Sequence, residues 1–274
     1  MSAPYDTLSE IEWDRVSRVW RLLDDGEVDR ARIEIGDLLK QRPGHPDLRI
    51  VDAAVALDEG EPRRALQALE GAERSADPAL FFHLRAVAHF ELAVFARARE
   101  DAQRALAIHP DLAEAHDLLA RVFDHLGDPE HALEHAAEAR AIDPESYPPP
   151  LEVDDDAFDA LVRESLDELP APVRKKLAEW PVVVEPLPSR ALLTAEDPPL
   201  SPDVLGLFVG RDLMSRSTSD LPSAPGQIYL FRRNLLRVCA DRDELKREVR
   251  ITVQHEVGHL LGLDEDDLER WGLA

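Results

Sequence analysis

The sequence predicts a multidomain chain: an all-α solenoid of paired helices over the first half, then a small α+β domain. Three observations predict it. Small residues recur every 33 or 34 positions through the first half, and this period stops after Pro144. The remainder then combines apolar helical faces with three short strand-like runs. A repeat of this length is one supersecondary unit, which buries its apolar face only by stacking on its neighbours.

Four registers agree. Ala120, Ala132, Ala139 and Pro144 lie 34 residues after Ala86, Ala98, Ala105 and Pro110. A step back of 33 reaches Ala53, Ala65 and Ala72, and a further 34 reaches Val19, Ala31 and Leu38, with Pro43 in the proline slot. Small side chains at these places let two antiparallel helices approach closely, and the proline sets the turn into the next unit. Gly26, Gly60 and Gly127 fall between paired helices, where a chain reversal often needs positive φ. The array is expected to hold about four repeats over residues 1–146.

Residues 147–153 follow as a linker, within the proline- and acid-rich stretch "PESYPPPLEVDDD". The second domain is expected over 154–274. Phe158, Leu161, Val162, Ser165, Leu166 and Leu169 trace one helical face; Asp154–Asp156 favour its start and Pro170 lies past its end. "PVVVEPLP", "LGLFVG" and "QIYLFR" read as strands. A polar, proline-containing loop, "LMSRSTSDLPSAPG", separates the last two. The third run, Gln227–Arg232, precedes the motif helix and is expected to be an edge strand open to an extended peptide.

Composition narrows the partners. The 32 basic and 56 acidic residues leave a formal charge of −24. So acidic a surface repels phosphate backbones and anionic lipids, which argues against nucleic acid and membrane and for a protein or peptide partner held by the repeats. Cys239 is the only cysteine, so no internal disulfide forms and a reducing compartment fits. "MSAPYDTLSEIEWDR" has neither the basic start nor the apolar core of a signal peptide. No apolar run approaches the roughly 20 residues of a membrane helix. A soluble, cytoplasmic protein is expected.

The chemistry sits in the last segment. "DRDELKREVRITVQHEVGHLLG" reads as one helix from Asp241, with Asp241 and Glu244 in capping-box relation and Gly262 at a left-handed stop. Leu245, Val249, Val253, Val257 and Leu260 form its apolar face. His255 and His259, one turn apart on a neighbouring edge, complete H-E-x-x-H. Two imidazoles so spaced can ligate one zinc ion, and Glu256, beside the first, can take a proton from water there. Gly262 lets the chain fold back, so that Glu265 can supply a third ligand, with Asp264 and Asp266 as alternatives. A second match, H-x-x-E-H at His131–His135, lies inside the fourth repeat, where periodicity already accounts for Ala132.

Two resemblances follow from these residues. The period, the small-residue slots and "AEAHDLLARVFDHLGDPEHALEHAAEARAIDPES" resemble the tetratricopeptide repeat over about residues 12–146, which implies a protein-binding surface. "DAFDALVRESLDELP", "VVVEPLP", "LGLFVGRDL", "IYLFRRNLLRVC" and "EVRITVQHEVGHLLGLDEDDLERWG" occur in the order of a small bacterial zincin-like family, the minimal matrix-metalloprotease-like domain, over about residues 152–274. That similarity implies a compact zinc-peptidase-like fold, with His255 and His259 as ligands, Glu256 as the catalytic carboxylate and Gly262 at the turn. The family pattern has aspartate where this chain has Glu265. No methionine follows the motif to form a Met-turn, the only methionines being Met1 and Met214. The expected function is zinc-dependent hydrolysis of peptide bonds, with the repeats recruiting a protein partner. The alternative is a non-catalytic interaction module with an inactive zincin-like domain.

Overall fold

The computed structural model describes residues 7–177, 180–210 and 226–261, with residues 172, 173, 176 and 259–261 described by their backbone alone. The chain divides into two compact units, residues 1–148 with 193–201 and residues 149–192 with 202–274.

The first unit is a solenoid of antiparallel helix pairs. Its helices pair as α1 (Glu10–Asp24) with α2 (Val28–Gln41), α3 (Pro46–Asp58) with α4 (Pro62–Leu69), α5 (Pro78–Glu91) with α6 (Phe95–Ile108), and α7 (Ala113–Leu126) with α8 (Pro129–Ile142). Each start has a local cause. Ser9 and Glu12 close a reciprocal capping box on α1, while α3, α4, α5 and α8 begin with proline, whose missing N–H costs nothing in the first turn. Every small-residue slot read from the period is buried: Val19, Ala31 and Leu38; Ala53, Ala65 and Ala72; Ala86, Ala98 and Ala105; Ala120, Ala132 and Ala139. Larger residues fill the space between pairs, among them Ile35, Leu48, Phe81, Phe90, Leu118 and Leu119.

The reversals inside the pairs are left-handed. Gly26, Gly60 and Gly127 take φ of 72°, 69° and 75°. The third pair has Ala93 in the equivalent place at φ 54°, so a methyl group is tolerated there at a conformational cost. A Cβ on Gly127 would meet nothing within 4 Å. Gly127→Ala should therefore destabilise the array by about 1 kcal/mol through backbone strain alone, seen as a lower denaturant midpoint with an unchanged slope. An unchanged midpoint would show that the turn does not need its left-handed geometry.

The second unit packs helices on one small mixed sheet. Its elements are α9 (Asp155–Asp167), α10 (Ala171–Leu177), β1 (Val182–Glu185), α11 (Arg190–Leu193, whose last residue groups with the first unit), β2 (Gly206–Val209), β3 (Gln227–Phe231), α12 (Arg232–Val238) and α13 (Arg242–Leu261). Asp154 caps α9 by accepting from the Ala157 N–H at 2.8 Å. The cap of α13 is shifted by one residue from the expected box: Asp241 accepts from Glu244 N–H, but Glu244 reaches back to Ala240 N–H at 2.6 Å. The core joins Phe158, Leu161 and Val162 of α9 to Ile228 and Leu230 of β3 and Leu245, Val249, Val253 and Val257 of α13.

Two expectations change. Gln227–Arg232 is not an edge strand: β3 is central, parallel to β1 and antiparallel to β2, in the order β1-β3-β2. The reason is the β1–β3 pairing, which joins Val182 to Ile228 across more than 40 residues of chain, and it leaves Ile228, Leu230 and Phe231 fully buried. Arg232 itself starts α12. The stretch read as linker also belongs partly to the second unit. Leu151 N–H donates to Leu236 O at 2.9 Å, Val153 O accepts from the Arg232 guanidinium at 2.6 Å, and Val153 is buried. The expected loop 213–226 falls, up to residue 225, outside the described residues. Among the described residues no helix is long and apolar enough to cross a membrane.

Candidate metal centre

The site is built on the C-terminal turns of α13. Its apolar stripe, Leu245, Val249, Val253 and Val257, is wholly buried, and this fixes the rotation of the helix. His255 is then exposed and Glu256 half-buried. His259 continues the same helix one turn on, so both histidines of the pattern stand on an unbroken α-helical backbone. Gly262, Asp264, Glu265 and Asp266 lie outside the described residues.

Glu256 is placed by β2. Its Oε2 accepts the backbone N–H of Phe208 at 2.7 Å. Phe208 faces Ile228 across the β2–β3 ladder, and its amide is directed to α13. The close approach has a residue-level cause at Gly206. A Cβ there would lie 2.5 Å from Thr252 Cγ2 and 2.8 Å from Tyr229 O, so only glycine lets the helix and the strand come this near. Thr252 precedes Glu256 by four helical residues, and Gly206 precedes Phe208 by two strand residues. Four residues of helix advance about 6 Å, and two of strand about 6.6 Å. The two contacts therefore stay in step as α13 runs beside β2, and the Gly206 approach delivers the carboxylate to the Phe208 amide.

The strand is held from its other side and end. Asn234 of α12, buried, donates through Nδ2 to Pro202 O and Val204 O, both at 2.8 Å, and Phe231 N–H donates to Leu205 O at 2.8 Å. The Phe208 ring covers Gly210 and Gly226 and meets Trp180 edge-on at 6.3 Å. Sequence reasoning missed Gly206, Phe208 and Asn234. The signal available was the glycine at the start of "GLFV", a residue that in a strand marks close backbone approach.

As a donor set, two imidazoles one turn apart with a carboxylate beside the first suit zinc, a borderline-soft ion that takes nitrogen and oxygen ligands. His255, at the surface of the helix, and His259 would hold it, with an acid from 264–266 completing the set. Among the described residues no group of three or more His, Cys, Asp or Glu converges into a metal site. The inverted pattern in the fourth repeat has its own explanation. His131 pairs with Asp128 at 2.7 Å, and His135 Nδ1 lies 2.9 Å from His116 Nδ1, while the imidazoles of His131 and His135 stack on Phe123. Burial, then the neighbouring His116, holds the His135 imidazole below its usual pKa.

No curated protein matches the chain. Among solved structures, it is similar to "MamA RS-1 ArsTM double mutant" at 22% identity and TM-score 0.41, over 49% of this chain and 76% of that one. A crystal structure of MamA gives 20% identity and TM-score 0.40, over 58% and 86%. PilW, a widely conserved type IV pilus biogenesis factor, gives 12% and 0.34, over 62% and 91%. For the second half the match is one of sequence family, and it covers the sheet, α12, α13 and the whole of H-E-x-x-H. Residues 177–273 match the family model of zincin-like metallopeptidases.

Proposed function

We propose that this chain is a zinc-dependent peptidase whose repeat array recruits a protein partner. The observation that carries the reading is the Glu256 carboxylate, set by the Phe208 amide one residue from His255 and on the helix that continues through His259. The rest of the motif supports it, together with the family match over 177–273.

His255, His259 and Glu265 would hold the ion. Zinc supplies Lewis acidity, which strengthens both a water nucleophile and the electrophilic carbonyl of a peptide bond. Glu256 accepts the proton of the attacking water and passes it to the departing amine. The Phe208 N–H keeps the carboxylate oriented between proton transfers, because it binds one oxygen and leaves the other free. An extended substrate would pair with β2, the outer strand next to α13, and not with the central β3. The repeat array would add selectivity, since main-chain pairing is tolerant of sequence.

The test uses the full chain purified without chelators. About one zinc per molecule is expected, with cleavage of a mixed peptide library that stops on chelation and returns with added zinc. A fully zinc-loaded protein that cleaves no peptide would favour the interaction module; a protein that holds no zinc and gains no activity from it would overturn the proposal.

A further inference from the structure

The repeat array contains a segment that its period does not predict. Leu193–Ser201 groups with the first unit, although about 50 residues separate it from the end of α8. Leu193 is fully buried in the cluster that contains Phe90, Phe95, Leu118 and Leu119, and Leu200 packs against the same cluster. The two leucines are tied at their bases, Leu200 N–H donating to Leu193 O at 2.9 Å. Between them the loop carries Asp197, which pairs with Arg63 of α4. The clusters of the first and second helix pairs are built from residues of the repeats alone; among the described residues only the cluster of the third and fourth pairs takes in this segment.

We propose that the third and fourth repeats carry a docking notch for a leucine–acid–leucine segment, and that residues 193–201 are a built-in ligand which closes it. The partner that opens the array is a protein with the same arrangement, two leucines seven apart with an acid at the fifth place. This rests on the reading that the array recruits a protein, and it names the chemistry recruited. The segment itself is the template. Two apolar anchors converge on one cluster, and the acid between them meets a guanidinium at the rim. The ion pair is solvent-exposed, so it directs the register while the leucines hold the loop. Because the loop is tethered, its local concentration is high, and a free competitor binds only in proportion to how often the loop leaves.

The experiment uses the full chain in chelator, so that its outcome is independent of zinc and of hydrolysis. The probe is a fluorescein-labelled peptide of residues 190–202, "RALLTAEDPPLSP". Leu193→Asn should loosen the loop and raise the affinity for this peptide by about tenfold or more over wild type. The same peptide with both anchor leucines changed to asparagine should fail to bind either protein. Equal affinity of wild type and variant, or equal binding of the peptide that lacks both anchor leucines, would overturn the proposal. Should Leu193→Asn lose its helical structure, Arg63→Asp decides: it should prefer a peptide with arginine at the Asp197 place by about threefold over the parent peptide, the reverse of wild type. No reversal would overturn the proposal equally.

Discussion

Glu256→Gln should leave zinc in place and lower kcat/KM for peptide cleavage by about 10²- to 10⁴-fold. The substitution is nearly isosteric, and the amide oxygen of glutamine can still accept the Phe208 N–H, so β2 and α13 keep their approach. What is lost is the ability to take up a proton. The loss should therefore fall on kcat, with zinc content and thermal stability unchanged. Equal activity of the two proteins would mean that another residue, or a contaminant, does the chemistry. Lost zinc would move Glu256 from the proton-transfer role to a ligand role.

Removing both imidazoles is the second large effect. Replacing His255 and His259 together by Ala should take the zinc content from about one per molecule to about none, since two of the three proposed protein ligands would disappear. His255 is exposed, and alanine is the best helix former, so α13 should persist with its buried valine stripe intact. Zinc-free wild type and zinc-free variant should accordingly unfold at similar temperatures, which separates loss of the ion from loss of the fold. Undiminished zinc in the variant would refute the assignment of these ligands. Glu265→Ala and Asp264→Ala, made separately, assign the third ligand, and Glu265→Ala should weaken zinc binding more.

The parts of this architecture that were legible in the sequence are those written in a period. The 33- and 34-residue spacing of alanines is itself a packing requirement, because a larger side chain at Ala98 or Ala132 would force paired helices apart, and all these positions are buried. The apolar stripe of α13 likewise fixed which way His255 would face. Contacts made by the backbone were not legible. The Phe208 amide that holds Glu256 has no side-chain signature, and Gly206 differs from any loop glycine only through the helix that passes it. The central place of β3 was hidden because its parallel neighbour is remote in sequence, while its nearness to the motif helix suggested an edge. Ala93 was hidden for the opposite reason: it fills a glycine's conformational place with a residue that ordinarily signals helix.

The burial of Leu193 also sets an order of events on the ribosome. Translation runs at about 5–20 residues per second, and about 50 residues separate Ile142, the last residue of α8, from Leu193. The helices of the third and fourth pairs are therefore complete for several seconds before the leucine that finishes their core is made. Throughout that interval the place that Leu193 takes beside Phe90 and Phe95 has no occupant from its own chain. On a polysome, where neighbouring copies are at different stages of synthesis, the Leu193–Ser201 loop of one chain can fill that place in another. Reciprocal exchange of that loop would yield an entwined dimer with the same contacts as the monomer. Nascent-chain crowding, and not equilibrium affinity, would then govern how much of it forms.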